Sequence, residues 1–158
     1  MNNILLRVLA VVLSGVSQEP LREKVVPFEK LPTECMAVYD ADIRMFRQAT
    51  STEVISVDLN DDKVNELLIF NGENGSGGEG WTVMQKHNGK YRKTGNVFGI
   101  LYKSGTGLIV ESPCGWSYAD WNYYELVNGK LVLKFNIDVK YRKPVRQEPL
   151  SIKINFNK

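Results

Sequence analysis

The chain has 158 residues, of which 43% are hydrophobic and 24% charged. This length and composition suit one domain with a hydrophobic core and exclude a disordered chain or a fibrous repeat. Twenty Lys and Arg residues against 18 Asp and Glu leave a net charge of +2, so we expect no nucleic-acid partner. With one His and two Cys, a thiolate–imidazole metal cluster would need a second chain.

The N-terminus resembles an export signal. Residues 1–17 combine the free amine and Arg7 with a short apolar run and small residues, with Ser17 at the expected cleavage point. We therefore expect an exported chain, periplasmic or secreted, with a mature domain of residues 18–158 and no transmembrane segment after cleavage. The alternative is a buried N-terminal helix or strand.

One helix is predicted, over residues 33–47, with Thr33 as the capping residue and an apolar face formed by residues three or four positions apart. Export would permit a disulfide between Cys35 and Cys114. The sequence does not show whether the two thiols meet, and two separate buried cysteines are the alternative.

From residue 52 onward the pattern favours antiparallel strands. An Asn88-Gly89 pair marks a hairpin turn, and alternate apolar residues from Leu131 to Val139 are predicted to share one strand face. A second strand near the end completes a C-terminal hairpin over 130–157. The strand segments are 54–57, 66–70, 81–86, 131–139 and 150–156.

The segment between the first two strands carries oxygen-bearing side chains at alternate positions. Asp58, Asn60 and Asp62 are followed by Glu66, and Val64 between them offers a backbone carbonyl. Calcium takes six to eight oxygen ligands, and a tight loop directs alternate side chains toward one ion. These five residues are therefore the predicted metal ligands. The alternative is a polar turn whose side chains bond their own backbone.

This spacing resembles the calcium loop of the FG-GAP and VCBS repeats. The resemblance covers residues 54–70 and implies a calcium ion held between two antiparallel strands by Asp58, Asn60, Asp62, Val64 and Glu66. Lys63 departs from the pattern, since the family has Gly at a position that commonly needs a positive φ. The downstream Gly-rich loop, Trp81 and the Asn-Gly-Lys turn are also similar to small exported bacterial proteins, most of them uncharacterised.

A shift of 40 positions aligns residues 66–93 with residues 106–133 and gives seven identities over 28 pairs. The matched residues include Trp81 with Trp121 and both Asn-Gly-Lys turns. Each copy is interpreted as one β-meander. Together with the helix, the two copies predict a mainly β domain, α+β with one N-terminal helix, built on an antiparallel sheet of two meander repeats.

No residue pattern in the chain indicates catalysis. His87 lies beside a turn without a nearby carboxylate or a serine nucleophile motif, so we expect a non-enzymatic protein. Trp116, Trp121 and Tyr123 belong to a dense aromatic cluster that suggests an alternative function, a carbohydrate-binding module. The ordinary interpretation of such a cluster is hydrophobic core. The sequence does not identify a biological partner.

Overall fold

The structure is a computed structural model that describes residues 6, 9, 19–38, 49–73, 78–113, 118–141 and 149–157, without the side chains of 73, 113, 149 and 150. Ten strands and one short α-helix, α1 (Thr33–Met36), make up the described part, with a 3-10 turn at Phe28–Lys30. The strands are β1 (Lys24–Pro27), β2 (Ser51–Val57), β3 (Glu66–Glu73), β4 (Glu79–His87), β5 (Lys90–Phe98), β6 (Ile100–Ser104), β7 (Gly107–Pro113), β8 (Tyr118–Val127), β9 (Lys130–Tyr141) and β10 (Pro149–Phe156).

The strands form two antiparallel sheets of five. The first sheet has the order β1-β2-β3-β4-β5, and the second has the order β10-β9-β8-β7-β6. In both sheets each strand pairs with its neighbour in the chain, as in a meander. The mainly β class with one helix is thus confirmed, with two sheets where the sequence suggests one.

A central core lies between the sheets. Trp81, Val83 and Val97 of the first sheet pack there with Leu108 and Val110 of the second, all of them 0–1% exposed. The far face of the first sheet packs against α1. The far face of the second sheet carries another buried cluster, which includes Trp121, Tyr123 and Phe135.

The two halves share a local irregularity. The β4–β5 ladder shifts register between Val83 and Met84, and the β8–β9 ladder shifts between Tyr123 and Tyr124, 40 positions later. Each shift leaves one residue of the partner strand out of the pairing, Thr94 in β5 and Lys134 in β9. The two bulges are therefore separated by the same 40 positions as the segments matched in sequence.

The bulge at Lys134 corrects one sequence prediction. Leu131 packs with the central core, whereas Phe135, Ile137 and Val139 pack in the cluster on the far face of the second sheet. A bulge inserts one residue and reverses the alternation of faces beyond it. The odd-numbered residues of β9 therefore do not share one face.

The described helix begins at Thr33, with Pro32 in the capping position and no side-chain cap, so the prediction that Thr33 caps the helix is wrong by one residue. The helix ends at Met36, and residues 39–47 of the predicted helix lie outside the described residues. Cys35 is fully buried and forms no disulfide with any described residue. Cys114 lies outside the described residues, so the structure gives no evidence for the disulfide.

Most of the predicted signal, residues 1–17, also lies outside the described residues. Leu6 and Leu9 are the exceptions: Leu6 is exposed, and Leu9 packs against the far-face cluster of the second sheet. Within the described ranges, no helix has the length and apolar character needed to cross a membrane.

Candidate metal site

The segment predicted to bind an ion connects β2 to β3. These strands pair antiparallel from Val54↔Ile69 to Val57↔Glu66, so the connection begins at Asp58 and returns to the sheet at Glu66. Leu59, which is 1% exposed, anchors the segment in the central core. The 58–66 loop is therefore held at both ends and by one apolar side chain.

Three alternate side chains of the loop each accept a backbone N–H from two residues further on. The N–H of Asn60 donates to Asp58 Oδ1 at 3.2 Å, that of Asp62 to Asn60 Oδ1 at 3.2 Å, and that of Val64 to Asp62 Oδ1 at 2.8 Å. Asn60 Nδ2 also donates to Asp62 Oδ2 at 3.0 Å. These successive Asx turns are the self-bonded arrangement that the sequence left as the alternative to an ion site.

The loop has two residues in the left-handed backbone region, Asp61 with φ 58° and Lys63 with φ 67°. The backbone N–H of Lys63 donates to Asp58 Oδ2 at 2.9 Å. Lys63 thus adopts the positive φ expected at the position where the calcium-loop family has Gly. For a residue with a Cβ this conformation costs about 1–2 kcal/mol.

Glu66 lies beneath the loop and is 0% exposed. Its Oε2 accepts the backbone N–H of Leu59 at 2.7 Å, while its buried Oε1 has no hydrogen-bond partner among the described residues. Burial raises the pKa of Glu66, and the charges of Asp62 and Asp58 raise it further, against its interactions with the backbone N–H groups of Leu59 and of Glu66 itself. A buried carboxylate oxygen without a partner lowers the stability of a fold, and in native structures such an atom often marks an ion or a water molecule.

Asp58, at the start of the loop, is stabilised by the loop backbone. Desolvation raises the pKa of Asp58, but N–H groups led by that of Lys63 outweigh it, and the pKa lies below its ordinary value. Lys103 Nζ lies 3.2 Å from Asp61 Oδ1, at the outside of the loop.

The structure brings Asp58, Asn60, Asp62, Val64 and Glu66 into one loop. It does not bring their carboxylates into a ready coordination shell: among the described residues no group of three or more His, Cys, Asp or Glu side chains is arranged to hold a metal ion. Two of the five predicted ligands are an amide and a backbone carbonyl. The donor set still contains the oxygen types that calcium prefers.

The aromatic residues of the alternative function lie in the hydrophobic core. Trp121 is 7% exposed and stacks on Tyr102 at 5.7 Å between ring centroids, and Tyr123 is 1% exposed and stacks on Phe135 at 5.1 Å. Buried rings offer no face to a sugar, so the structure favours the core interpretation for both residues. Trp116 lies outside the described residues.

An open cavity lined by polar residues lies beside the loop, and the sequence does not reveal it. It lies between the β4–β5 turn and the β8–β9 turn, with Asp62 on its wall and a volume of about 430 Å³. Both turns carry the repeated Asn-Gly pair, with Asn88 at φ 50° and Asn128 at φ 51°. The sequence shows the two turns, but it does not show that they lie side by side.

No protein-family model matches the chain, and no curated protein matches it. A solved structure, described as a Xanthomonas type IV secretion system related protein, is similar with a TM-score of 0.48 and 20% sequence identity. The match covers 65% of this chain and 53% of that chain, so this chain spans about half the length of that structure. At this level the similarity indicates neither a function nor a partner.

Proposed function

We propose that this is an exported, non-enzymatic protein in which the 58–66 loop binds one calcium ion that stabilises the fold. Asp58, Asn60, Asp62 and Glu66 would supply side-chain oxygens, and Val64 its carbonyl. Water would complete a shell of six to eight ligands. The ion would contribute no turnover; it would fix the connection between β2 and β3.

The observation that carries the proposal is the buried Oε1 of Glu66, which no described residue pairs by a hydrogen bond. Buried polar atoms are nearly always hydrogen-bonded, and an unpaired one often marks an ion or water. Here the atom belongs to an acid that is 0% exposed and whose pKa is raised partly by Asp62 and Asp58. A divalent cation would reverse that repulsion and pair the free oxygen.

The backbone of the loop supports the same interpretation. Lys63 already has the positive φ of the family's Gly, so that substitution does not prevent the required turn. The Asx turns also leave lone pairs free on the loop oxygens, because each carboxylate oxygen has two acceptor sites. These oxygens could therefore bind an ion while they still accept the backbone N–H groups.

The experiment is isothermal titration of the chelator-stripped protein with CaCl2, and with MgCl2 as a specificity arm. We expect one calcium per chain and weaker magnesium binding, because magnesium demands stricter geometry and dehydrates reluctantly. Asp58→Ala should abolish the calcium heat.

The matched control is Asp61→Asn, which removes one charge from the same loop at a position that is not a predicted ligand. Asn tolerates the positive φ of Asp61, so the turn should persist. Absence of calcium binding by the native chain would refute the proposal, and equal losses in the two variants would show that only loop charge matters.

A further inference from the structure

The cavity beside the loop is lined by polar groups. Gln85, His87 and Arg92 line it from the β4–β5 hairpin, Asn128 from the β8–β9 turn, and Asp62 from the 58–66 loop. Its volume of about 430 Å³ lies in the range of roughly 300–1,000 Å³ that is typical of small-ligand sites. The site is therefore large enough for a monosaccharide.

The strand register sets which side chains share the cavity face. Gln85 and Arg92 are direct partners in the β4–β5 ladder, and His87 follows Gln85 by two residues, so all three lie on one face of the hairpin. Lys86 also lines the cavity, but its position between Gln85 and His87 on β4 directs its side chain to the opposite face, where its Nζ lies 5.8 Å from the centre of the Tyr91 ring. Lys90, the partner of His87, shares this face but does not line the cavity, so Arg92 is the permanent cation that the cavity face of this hairpin brings to the cavity.

Arg92 has no counter-ion in the ion pairs formed among the described residues. The acidic residue across the cavity is Asp62, and it is also a proposed calcium ligand. If calcium binds the loop, it neutralises the charge of Asp62 and leaves Arg92 as the dominant charge of the cavity. The calcium part of this reasoning rests on the proposed function.

We propose that this cavity binds a sugar-sized oxyanion, a phosphorylated or carboxylated monosaccharide, and that calcium in the loop strengthens the binding. The guanidinium of Arg92 pairs with the phosphate or carboxylate group, for which its planar fork is well suited. The amides of Gln85 and Asn128 offer donors and acceptors for sugar hydroxyls. Linkage then requires that the anion strengthen calcium binding by the same factor.

The test is isothermal titration of the full chain with glucose 6-phosphate, glucuronate and glucose. Each titration is done once in chelator and once in about 0.5 mM CaCl2. We expect at least one of the two anions to bind, and glucose to bind at least about tenfold more weakly. The arm that binds more tightly identifies phosphate or carboxylate as the charged group. Calcium should raise the affinity for the anion about tenfold.

Two variants that remove one positive charge form a matched pair. Arg92→Met should weaken anion binding at least about tenfold, because it removes charge-assisted hydrogen bonds. Lys93→Met should change it less than about twofold, because Lys93 follows Arg92 on β5 and points to the other face. Equal effects of the two variants, or no anion binding by the native chain, would overturn the proposal.

A third variant separates this proposal from the calcium proposal. Asp62→Asn removes the repelling charge without an ion, so it should bind the anion about tenfold more tightly than the native chain in chelator. That result is expected even if the native loop binds no calcium. An anion affinity that changes neither with Asp62→Asn nor with calcium shown to be bound would refute the coupling.

Discussion

Replacement of Glu66 by Gln tests the calcium site at the residue that best supports it. The side chain keeps its shape, and its amide oxygen still accepts the N–H of Leu59. The variant loses one of the three formal charges in the donor set. It also removes a buried carboxyl group, whose pKa is raised by burial and by neighbouring acids.

The expected magnitude follows from linkage. At free calcium a hundredfold above its dissociation constant, the native fold gains about 2.7 kcal/mol. For a chain of this size, that corresponds to a rise of about 5–10 °C in the melting temperature. If loss of a charged ligand weakens binding about a hundredfold, the variant retains only about 0.4 kcal/mol of stabilisation, a rise of about 1 °C.

The assay is thermal unfolding followed by circular dichroism, in chelator and in millimolar calcium. Asp61→Asn is the control, and it should keep the native calcium shift because Asp61 pairs with Lys103 at the outside of the loop. If calcium raises the melting temperature of Glu66→Gln as much as that of the native chain, the role of Glu66 as a ligand is refuted. A native chain that does not shift would refute the site.

The pH dependence of stability, measured in chelator, is an independent test of Glu66. Because the pKa of Glu66 in the folded state lies above its ordinary value of 4.5, the folded state holds the proton more tightly than the unfolded state. The protonated Glu66 therefore stabilises the folded state. This stabilisation is complete below pH 4.5 and is lost as the pH rises through the pKa of the folded state. The native chain should lose stability over that interval relative to Glu66→Gln, and parallel curves would contradict the shift.

Three further predictions concern other parts of the chain. Lys63→Gly should raise stability in chelator by about 0.5–1 kcal/mol relative to Lys63→Ala, measured by urea unfolding, because only Gly relieves the positive φ. Burial, and secondarily the charge of Glu34, raises the pKa of Cys35 to about 11, so iodoacetamide at pH 8 (roughly the ordinary thiol pKa) should label Cys35 only after unfolding, as peptide mass spectrometry would show. Gly99→Ala should cost about 2–4 kcal/mol, since φ is 139° and a Cβ would collide with the carbonyl of Glu111; Gly89→Ala, with φ 79° and open space, should cost about 1–2 kcal/mol.

The hairpins were predictable because their signals are local. Asn88-Gly89 and Asn128-Gly129 both have positive φ at both residues, as a two-residue turn requires. Two adjacent residues, Asn and Gly, are therefore enough to predict each turn from the sequence. The loop is predictable for the same reason, since the alternation of Asp58, Asn60 and Asp62 produces successive Asx turns. Even Lys63 follows the expected backbone geometry, against its own preference.

The division into two sheets could not be predicted from local patterns. Strands β5 and β6 are separated by a single residue, Gly99, yet they belong to different sheets. Gly99 has φ 139° and lies against the backbone of Glu111, a close approach that only the folded chain reveals. Likewise, the bulge at Lys134 decides which face Leu131 occupies, and bulges have no reliable sequence signature.

The two interpretations of the 58–66 loop, polar turn and ion site, are not exclusive. Backbone N–H groups bond Asp58, Asn60 and Asp62, so these bonds hold the loop in shape without an ion. They do not satisfy Glu66, whose second oxygen is buried and has no hydrogen-bond partner in the part of the chain that the structure describes. A bound cation would therefore act mainly on Glu66 and on the repulsion among the acids, and would add stability to a loop that already has its backbone form. For this reason we expect calcium to raise the melting temperature of the chain while its far-ultraviolet circular dichroism, and hence its strand content, stays the same.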